Sequence, residues 1–362
     1  MYTTDIITLP KFCFGRGIYR RFPALCRGMG NRFVVVGGVT AMEKGLPSLT
    51  QAIAGSGMTM LDHIPFGGAC TQQAMDRLIA RIAPMKPDFI VGMGGGKAID
   101  TAKGVAFGMD LPLVSLPTLV SNCAPITALS VVYREDGPFD RFAFFDGPPA
   151  LTLVDLEIAA HAPDKYFRAG MGDTLAKHLE STFSARNDNL GNELDHMSAI
   201  GLALSSTCYD PVLQYGRQAL DEVLRHEAGP AMEICARSII VSAGLVSLMA
   251  HDDYNCALAH AVCYGLQLFA HVEENCLHGD LVAYGALVQL MLDGQKEKAK
   301  ELQTFLKSLG TPVTLAEMNV PLERNALEST LTEATTGPDM AHIPYPITPD
   351  MVFDAMTRVE TL

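Results

Sequence analysis

One acidic residue and two histidines in the second half of the chain have the side chains that a catalytic metal site needs. Asp173 stands at the predicted start of a helix, and His278 comes just before the start of another. His260 lies within an apolar helix predicted over 257–269, where an imidazole requires a partner. A carboxylate and two imidazoles that leave one position open form the donor set of a catalytic zinc ion. These residues are therefore candidate metal ligands and catalytic residues.

A structural role is the competing interpretation for each of them. A single histidine in an apolar helix is more often a hydrogen-bonded core residue than a ligand, and a residue at a helix start is often a cap. The chain has ten histidines, and spacing alone does not single out any pair, since His251 and His271 are also available. The residues by themselves leave the ligand set open.

A glycine-rich turn in the first half has the features of a phosphate-binding site. Gly94, Gly95 and Gly96 follow a predicted buried strand and open a predicted helix. Glycines let the backbone approach a pyrophosphate, and a helix start offers unpaired N–H groups with a partial positive charge. Lys97 adds a full charge, although the Ala98 that follows excludes a Walker A loop. The alternative is a tight turn without a ligand, but the strand, the helix and the lysine together favour phosphate binding.

A second polar segment, 117–133, begins just past another predicted strand. Ligands of α/β proteins bind at the carboxyl ends of strands. Thr118, Ser121 and Thr127 could donate hydrogen bonds to a ribose or a nicotinamide amide. Taken alone, the segment is equally compatible with an ordinary polar loop.

The elements that must position these residues change character along the chain. Predicted strands occupy 33–36, 88–91 and 111–115, predicted helices occupy 69–83 and 97–107, and a hairpin over 129–145 precedes a last strand that reaches Asp155. From about residue 163, apolar residues recur with helical periodicity, as in 231–249, 281–292 and 296–309. This pattern predicts a Rossmann-like α/β dinucleotide-binding domain over 1–162 and an all-helical metal-binding domain over 163–362, with ligands expected between the two.

Composition excludes several classes of function. The net charge of −13 would repel phosphate backbones, so we expect no nucleic-acid partner. No apolar run approaches the roughly 20 residues of a membrane span, so we expect no membrane partner. The first ten residues lack the order of a signal peptide, and the nine cysteines contain no Cys-x-x-Cys pair. We therefore expect reduced thiols in a cytoplasmic protein.

These motifs together resemble the glycerol dehydrogenase branch of the iron-containing alcohol dehydrogenase superfamily, which includes hydroxycarboxylate dehydrogenases, over nearly the whole chain. The matching segments are 94–103, 117–118 with 128–131, 170–176, 260–262, 277–279 and 282–285. The resemblance implies a dehydroquinate synthase-like architecture, with Asp173, His260 and His278 as metal ligands. It also implies that the residues around a nicotinamide cofactor are Gly94, Gly95, Gly96, Lys97, Thr118, Ser121, Thr127, Leu129 and Tyr133.

Three departures from the family pattern bear on the chemistry. Iron-binding members have a second ligand histidine one turn after the aspartate, where this chain has Lys177. Three protein ligands favour Zn²⁺ over Fe²⁺. Glycerol dehydrogenases resemble one another in an aspartate at the place of Cys123, and NAD-preferring members have an acid where this chain has Gly37 and Gly38. NADP(H) is therefore as open to this chain as NAD(H).

The sequence predicts a metal-dependent NAD(P)-linked oxidoreductase that interconverts a small alcohol and its carbonyl compound. We also expect the protein to be a homo-oligomer. Lys177 lies four residues after Asp173, so both side chains share a helix face, and a cation there suits a substrate carboxylate. We therefore expect reduction of a 2-oxo acid, with Lys177 and Cys123 in the substrate site. Glycerol oxidation is the alternative reaction. For Lys177, the structural alternative is that it only pairs with an acid such as Glu180. A dehydroquinate synthase-like lyase and a non-catalytic binding protein are alternatives of another class.

Overall fold

The computed structural model describes residues 7–137, 139–186, 194–251 and 254–362. The strands in these ranges are β1 (Phe12–Gly15), β2 (Arg32–Gly37), β3 (Thr59–Pro65), β4 (Phe89–Gly94), β5 (Leu113–Pro117), β6 (Leu129–Tyr133), β7 (Phe139–Phe144) and β8 (Leu151–Asp155). The α-helices are α1 (Phe22–Cys26), α2 (Val39–Ile53), α3 (Gln72–Ile82), α4 (Gly96–Gly108), α5 (Leu156–Ala160), α6 (Asp164–Ser184), α7 (His196–Leu204), α8 (Ser206–Leu224), α9 (Pro230–Arg237), α10 (Ala243–Met249), α11 (Leu258–Gln267), α12 (Ala270–Asn275), α13 (His278–Leu292), α14 (Lys296–Leu309), α15 (Glu328–Thr336) and α16 (Pro349–Val359).

Six strands form one parallel sheet in the order β1-β8-β5-β4-β2-β3. Both of its faces are buried, because side chains alternate along a strand. Phe33 and Val35 of β2 pack with α1 and α2, while Val34 and Val36 pack with α3 and α4. The predicted α/β fold with a parallel sheet is confirmed, and β6 and β7 form the predicted hairpin beside it as a two-stranded antiparallel sheet.

The chain divides into two compact units. Unit 1 comprises the residues up to Asp164 together with Glu222–Glu233, and it contains the sheet. Unit 2 comprises Lys165–Asp221 and Ile234–Leu362, and it is helical. Its helix α13 is buried from Gly279 to Met291 on every side, which is the environment of a central core helix.

One sequence prediction, that Asp173 starts a helix, is wrong. Asp173 lies in the middle of α6, and the preceding glycines belong to the helix interior. The glycines serve close packing instead. A Cβ on Gly172 would lie 2.5 Å from the carbonyl oxygen of Gly279 on α13, a distance that real side chains do not tolerate. In the sequence alone, glycines at a contact between two helices look the same as glycines at a helix boundary.

The expectation that no apolar segment is long enough to span a membrane also needs correction. α9, a π-helical turn over Ser238–Ser242 and α10 form a continuous helix, Pro230–Met249, of 20 residues that is long and apolar enough by composition. The helical periodicity predicted over 231–249 is confirmed, with a π turn inside the helix. More than half (56%) of an apolar 18-residue window of this helix is buried within the protein, as is usual for a core helix.

Candidate active site

Asp173, His260 and His278 converge in unit 2. Their ligand atoms all lie within 4.8 Å of one another, and Nε2 of His260 is 3.5 Å from Oδ1 of Asp173. Two ligands of a tetrahedral zinc ion are about 3.4 Å apart, so small side-chain movements would close these donors on one ion. In the described ranges, neither His251 nor His271 belongs to a group of this kind. The donor set therefore fits a divalent metal.

The three side chains differ in exposure. His260 is buried, Asp173 is half-buried and His278 is exposed. A metal held by them would have its closed side in the helical core and an open side toward solvent. An open coordination position is the feature that separates catalytic from structural zinc sites.

Backbone contacts between helices bring the three ligands together. Asp173 is on α6, His260 on α11, and His278 is the first residue of α13. A Cβ built on Gly279 would lie 1.9 Å from the carbonyl oxygen of Ala169, and one on Gly285 would lie 2.2 Å from that of Ala259. Since no side chain fits in either place, glycine is what allows α13 to approach both other helices at backbone distance.

Glu180, which the sequence analysis considered only as a partner for Lys177, contacts a metal-ligand candidate directly. Its carboxylate is fully buried, and Oε2 lies 2.6 Å from Nδ1 of His260. Burial alone would raise the pKa of Glu180, but its attraction to His260 and the hydrogen bonds from that residue hold the pKa below its ordinary value. The group is thus a carboxylate inside the protein. Only the contact, not the sequence, reveals this pairing, since 80 residues separate the partners.

Lys177 is also buried, one turn after Asp173 on α6. Its ammonium donates to the backbone carbonyl of Asn255 at 2.7 Å. Its charge lowers the pKa values of Asp173 and Glu180, although burial of the two acids and their contacts with His260 are larger influences. A positive charge therefore lies beside the ligand cluster, and the role of Lys177 toward a substrate stays a prediction.

Further groups around the cluster were not found by sequence reasoning. The ring of Tyr264 lies 6.1 and 6.2 Å from the rings of His260 and His278, and the thiol of Cys263 is 3.4 Å from Nδ1 of His278. Asp339 comes from a short 3₁₀ helix. Burial raises its pKa to about 6. These side chains are up to 166 residues from Asp173 in sequence (339 minus 173), and no spacing rule connects them.

The glycine turn and the segment after β5 meet in unit 1. The N–H of Thr118 donates to the carbonyl of Gly94 at 3.1 Å. Gly94 has a φ of 149°, and a Cβ on it would lie 2.8 Å from that of Ala98, so the turn at the end of β4 requires glycine. Gly95 is the N-cap of α4 and has no side-chain partner there, which leaves the first N–H groups of the helix available to an anion.

Two lysines of α4 contact residues of the segment after β5. Lys97 is the second residue of α4, and its Nζ lies 4.9 Å from the centre of the Tyr133 ring. Lys103, which the sequence analysis assigned no role, is completely buried and donates to Thr127 Oγ1 and to the carbonyl of Leu129. The structure thus joins Lys97 to Tyr133, and it joins Thr127 to Leu129 through a single ammonium group.

Ser121 and Cys123 follow β5 and are half-buried. Cys123 is the N-cap of a short 3₁₀ helix, Ala124–Ile126. They belong to unit 1, whereas the metal-ligand candidates belong to unit 2. The roles assigned to Ser121 and Cys123 from the sequence therefore stay predictions.

A parallel sheet with a glycine turn at a strand end, followed by a helical unit with one carboxylate and two imidazoles, defines the class of protein as one of dehydroquinate synthase-like architecture. Comparison with known proteins agrees. Residues 10–155 match the family described as iron-containing alcohol dehydrogenase. The chain belongs to that family and is an oxidoreductase of the alcohol dehydrogenase type.

Relatives of the glycerol dehydrogenase branch match nearly the full length. The chain is 30% identical over 355 residues to a glycerol dehydrogenase from Pseudomonas putida, covering 97% of this chain and 96% of the relative. It is 32% identical over 307 residues to hydroxycarboxylate dehydrogenase A from Escherichia coli K12, covering 84% and 83%. The crystal structure of glycerol dehydrogenase from Schizosaccharomyces pombe superimposes with a TM-score of 0.88 at 26% identity, covering 99% of this chain and 91% of that one.

Proposed function

We propose that this protein is a zinc-dependent, NAD(P)-linked dehydrogenase that interconverts a small alcohol and its carbonyl compound. The observation that carries the proposal is the convergence of Asp173, His260 and His278 within 4.8 Å, with one side open to solvent. Three protein ligands and an open position are the arrangement of catalytic zinc. The family resemblance and the sequence motifs support a nicotinamide cofactor at the glycine turn.

When bound at this site, a metal would supply the Lewis acidity that polarises a carbonyl or lowers the pKa of an alcohol, and no dedicated side-chain base would then be needed. The chain's own residues do the positioning. Asp173, His260 and His278 would hold the metal, and the N–H groups at the start of α4 with Lys97 would hold the pyrophosphate. Hydride transfer belongs to the cofactor.

For the substrate we propose a small 2-oxo acid, reduced to the 2-hydroxy acid. Asp173 and Glu180 place two carboxylates at the site and Lys177 places one ammonium, so a divalent ion would leave one positive charge in excess whenever Asp339 is neutral. An anionic substrate would neutralise that charge. Asp339 is neutral below about pH 6, so the preference for an anion should be greatest at mildly acidic pH. Cys123, in place of an aspartate, removes a further repulsion in this proposal.

Glycerol oxidation is the second candidate. Glycerol dehydrogenases are among the relatives that match almost the whole chain. The difference at Cys123, where those enzymes resemble one another in an aspartate, is the reason that we place glycerol second.

The test is turnover by the zinc-loaded and the iron-loaded protein, at pH 5.5 and 8, with NADH and NADPH. The panel comprises 2-oxo acids, neutral ketols, aldehydes and, in the oxidative direction, glycerol. One cofactor oxidised per substrate reduced distinguishes a dehydrogenase from a lyase or a binding protein. Higher kcat/KM for glycerol than for any hydroxy acid would reject the substrate proposal and leave the dehydrogenase standing.

His260→Ala gives the matching test of the metal site. We expect loss of stoichiometric zinc and a fall in kcat of several orders of magnitude, because the remaining donors no longer complete the site. The comparison is His271→Ala, which changes an exposed histidine outside the cluster. Full zinc content and a normal rate in His260→Ala would show that the cluster is not the metal site.

A further inference from the structure

We propose that Glu180 is a positioning residue of the metal centre, which fixes both the orientation and the tautomer of His260. The inference rests on the proposed metal-binding function. Oε2 of Glu180 accepts from Nδ1 of His260 at 2.6 Å, and Oε1 accepts from the backbone N–H groups of Ala257 and His260, both at 2.8 Å. The carboxylate of Glu180 therefore holds the metal-ligand candidate His260 both by its ring and by its backbone.

The direction of each hydrogen bond determines which ring nitrogen faces the metal. An ionised carboxylate can only accept, so Nδ1 of His260 must carry a hydrogen. In a neutral imidazole the other nitrogen, Nε2, then has the free lone pair. Nε2 is the atom 3.5 Å from Oδ1 of Asp173. Glu180 thus turns Nε2 toward the ligand cluster, where its lone pair can meet a metal once the ring is neutral.

The backbone contacts make this arrangement rigid. α11 begins at Leu258, and its N-cap, Ala257, has no capping side chain of its own. The N–H groups of Ala257 and His260 belong to the first turn, where a helix leaves donors unsatisfied. Glu180, on α6, satisfies both from outside the helix. Rotation of the His260 ring would break a bond of the group that also caps the helix.

Substitution Glu180→Gln separates positioning from shape. A glutamine has nearly the same size but only one accepting end. If its oxygen faces the two backbone N–H groups, its amide donates to Nδ1 and forces the hydrogen onto Nε2, toward the metal. If the amide is turned over, its NH₂ group faces the two backbone N–H donors, and no hydrogen bond forms there. Glu180→Ala leaves a cavity but imposes no tautomer.

The experiment measures the zinc dissociation constants of the purified variants by competition with a chromophoric chelator at fixed pH. We expect Glu180→Gln to bind zinc about 10- to 100-fold more weakly than the wild type. We also expect it to bind more weakly than Glu180→Ala. A purely structural role predicts the opposite order, because alanine disturbs the packing more. In the zinc-free proteins, at a pH high enough for the His260 ring to be neutral, nitrogen NMR should show the hydrogen on Nδ1 in the wild type and on Nε2 in Glu180→Gln.

Ser181→Ala is the matched control. Ser181 is the buried neighbour of Glu180, and its hydroxyl donates to the carbonyl of Lys177. It should change zinc affinity by less than about threefold. Equal zinc affinity in wild type and Glu180→Gln overturns the inference, even if the alanine variant does not fold. A wild-type protein without stoichiometric zinc affinity overturns the proposed function itself, which keeps the two failures distinct.

Discussion

Nζ of Lys103 lies 2.6 Å from the carbonyl oxygen of Leu129, and this hydrogen bond joins α4 to β6 at a place with no solvent exposure. The same ammonium is 3.0 Å from Oγ1 of Thr127 and 3.0 Å from Oδ1 of Asp100, so its three hydrogens have three partners. Oδ2 of Asp100 accepts from the N–H of Val131. A buried ion pair thus fixes the backbone that the sequence motifs assign to the cofactor.

Lys103→Met should destabilise the protein by about 3–5 kcal/mol, because it leaves the carboxyl of Asp100 buried without its cation. The measurement is the free energy of unfolding in urea. Lys44→Met is the control, since Lys44 is exposed on α2, and we expect less than about 0.5 kcal/mol there. A loss below about 1 kcal/mol in Lys103→Met would contradict the role of the network.

Gly38→Asp should shift cofactor preference toward NADH. A Cβ on Gly38 has no neighbour closer than 3.7 Å, and an aspartate also suits its position as the N-cap of α2. A carboxylate about 4 Å from a 2′-phosphate costs about 1–4 kcal/mol, so the ratio of kcat/KM for NADPH to that for NADH should fall roughly tenfold or more.

Two neighbouring variants define this test. Gly38→Ala should leave the ratio unchanged, since it adds no charge. Gly37→Asp should misfold or lose stability, because a Cβ there would lie 2.5 Å from the carbonyl oxygen of Met93. A wild-type enzyme that uses NADH exclusively would be inconsistent with an open ribose site.

Lys177→Met should reduce turnover of charged substrates selectively. Loss of a charge-assisted interaction costs about 1.5–3 kcal/mol, so kcat/KM for 2-oxo acids should fall about tenfold to a hundredfold, and that for neutral ketols should fall much less. Methionine retains the length of the buried side chain, and the ratio between substrates cancels general damage to the site. Equal losses on both substrates would show that Lys177 supports structure only, through Asn255.

Asp293 should make stability dependent on pH. Burial opposes its charge, but hydrogen bonds from Arg186, Gln295 and Tyr345 hold its pKa below the ordinary value. A lowered pKa contributes stability above the unfolded pKa of about 3.9, and this contribution is lost as the pH falls through the folded pKa. Asp293→Asn should therefore lose about 1.5–3 kcal/mol of unfolding free energy at pH 7.

The difference between wild type and Asp293→Asn should shrink toward zero as the pH falls below about 4. Chemical unfolding at several pH values measures it. Asp350→Asn, at an exposed acid, is the control and should differ little from wild type throughout. A gap that stays constant with pH would mean that Asp293 acts by packing rather than by charge.

Much of unit 1 could be predicted from the sequence because its signals are local. β2, β4 and β5 are short apolar runs, and the glycines before α4 stand where a strand must turn directly into a helix. The metal-ligand candidates needed the family resemblance. Spacing could not choose among ten histidines, because the three ligands come from three different helices and no fixed interval relates them.

The errors and omissions have one physical origin, the contact between distant segments. Gly172 indicated a helix start, although it serves the approach of α6 to α13. The sequence assigns Lys103 no role and Glu180 only a pairing with Lys177, because a buried ion on a helix resembles a solvated one until its partner is known.

The glycine contacts of α13 have a consequence for engineering. Transplanting Asp173, His260 and His278 alone onto another helical scaffold should fail, because ordinary side chains would keep the three helices too far apart. The transferable unit also includes Gly279 and Gly285, which meet the carbonyls of Ala169 and Ala259. Residues without any ligand atom thus determine where such a centre can be rebuilt.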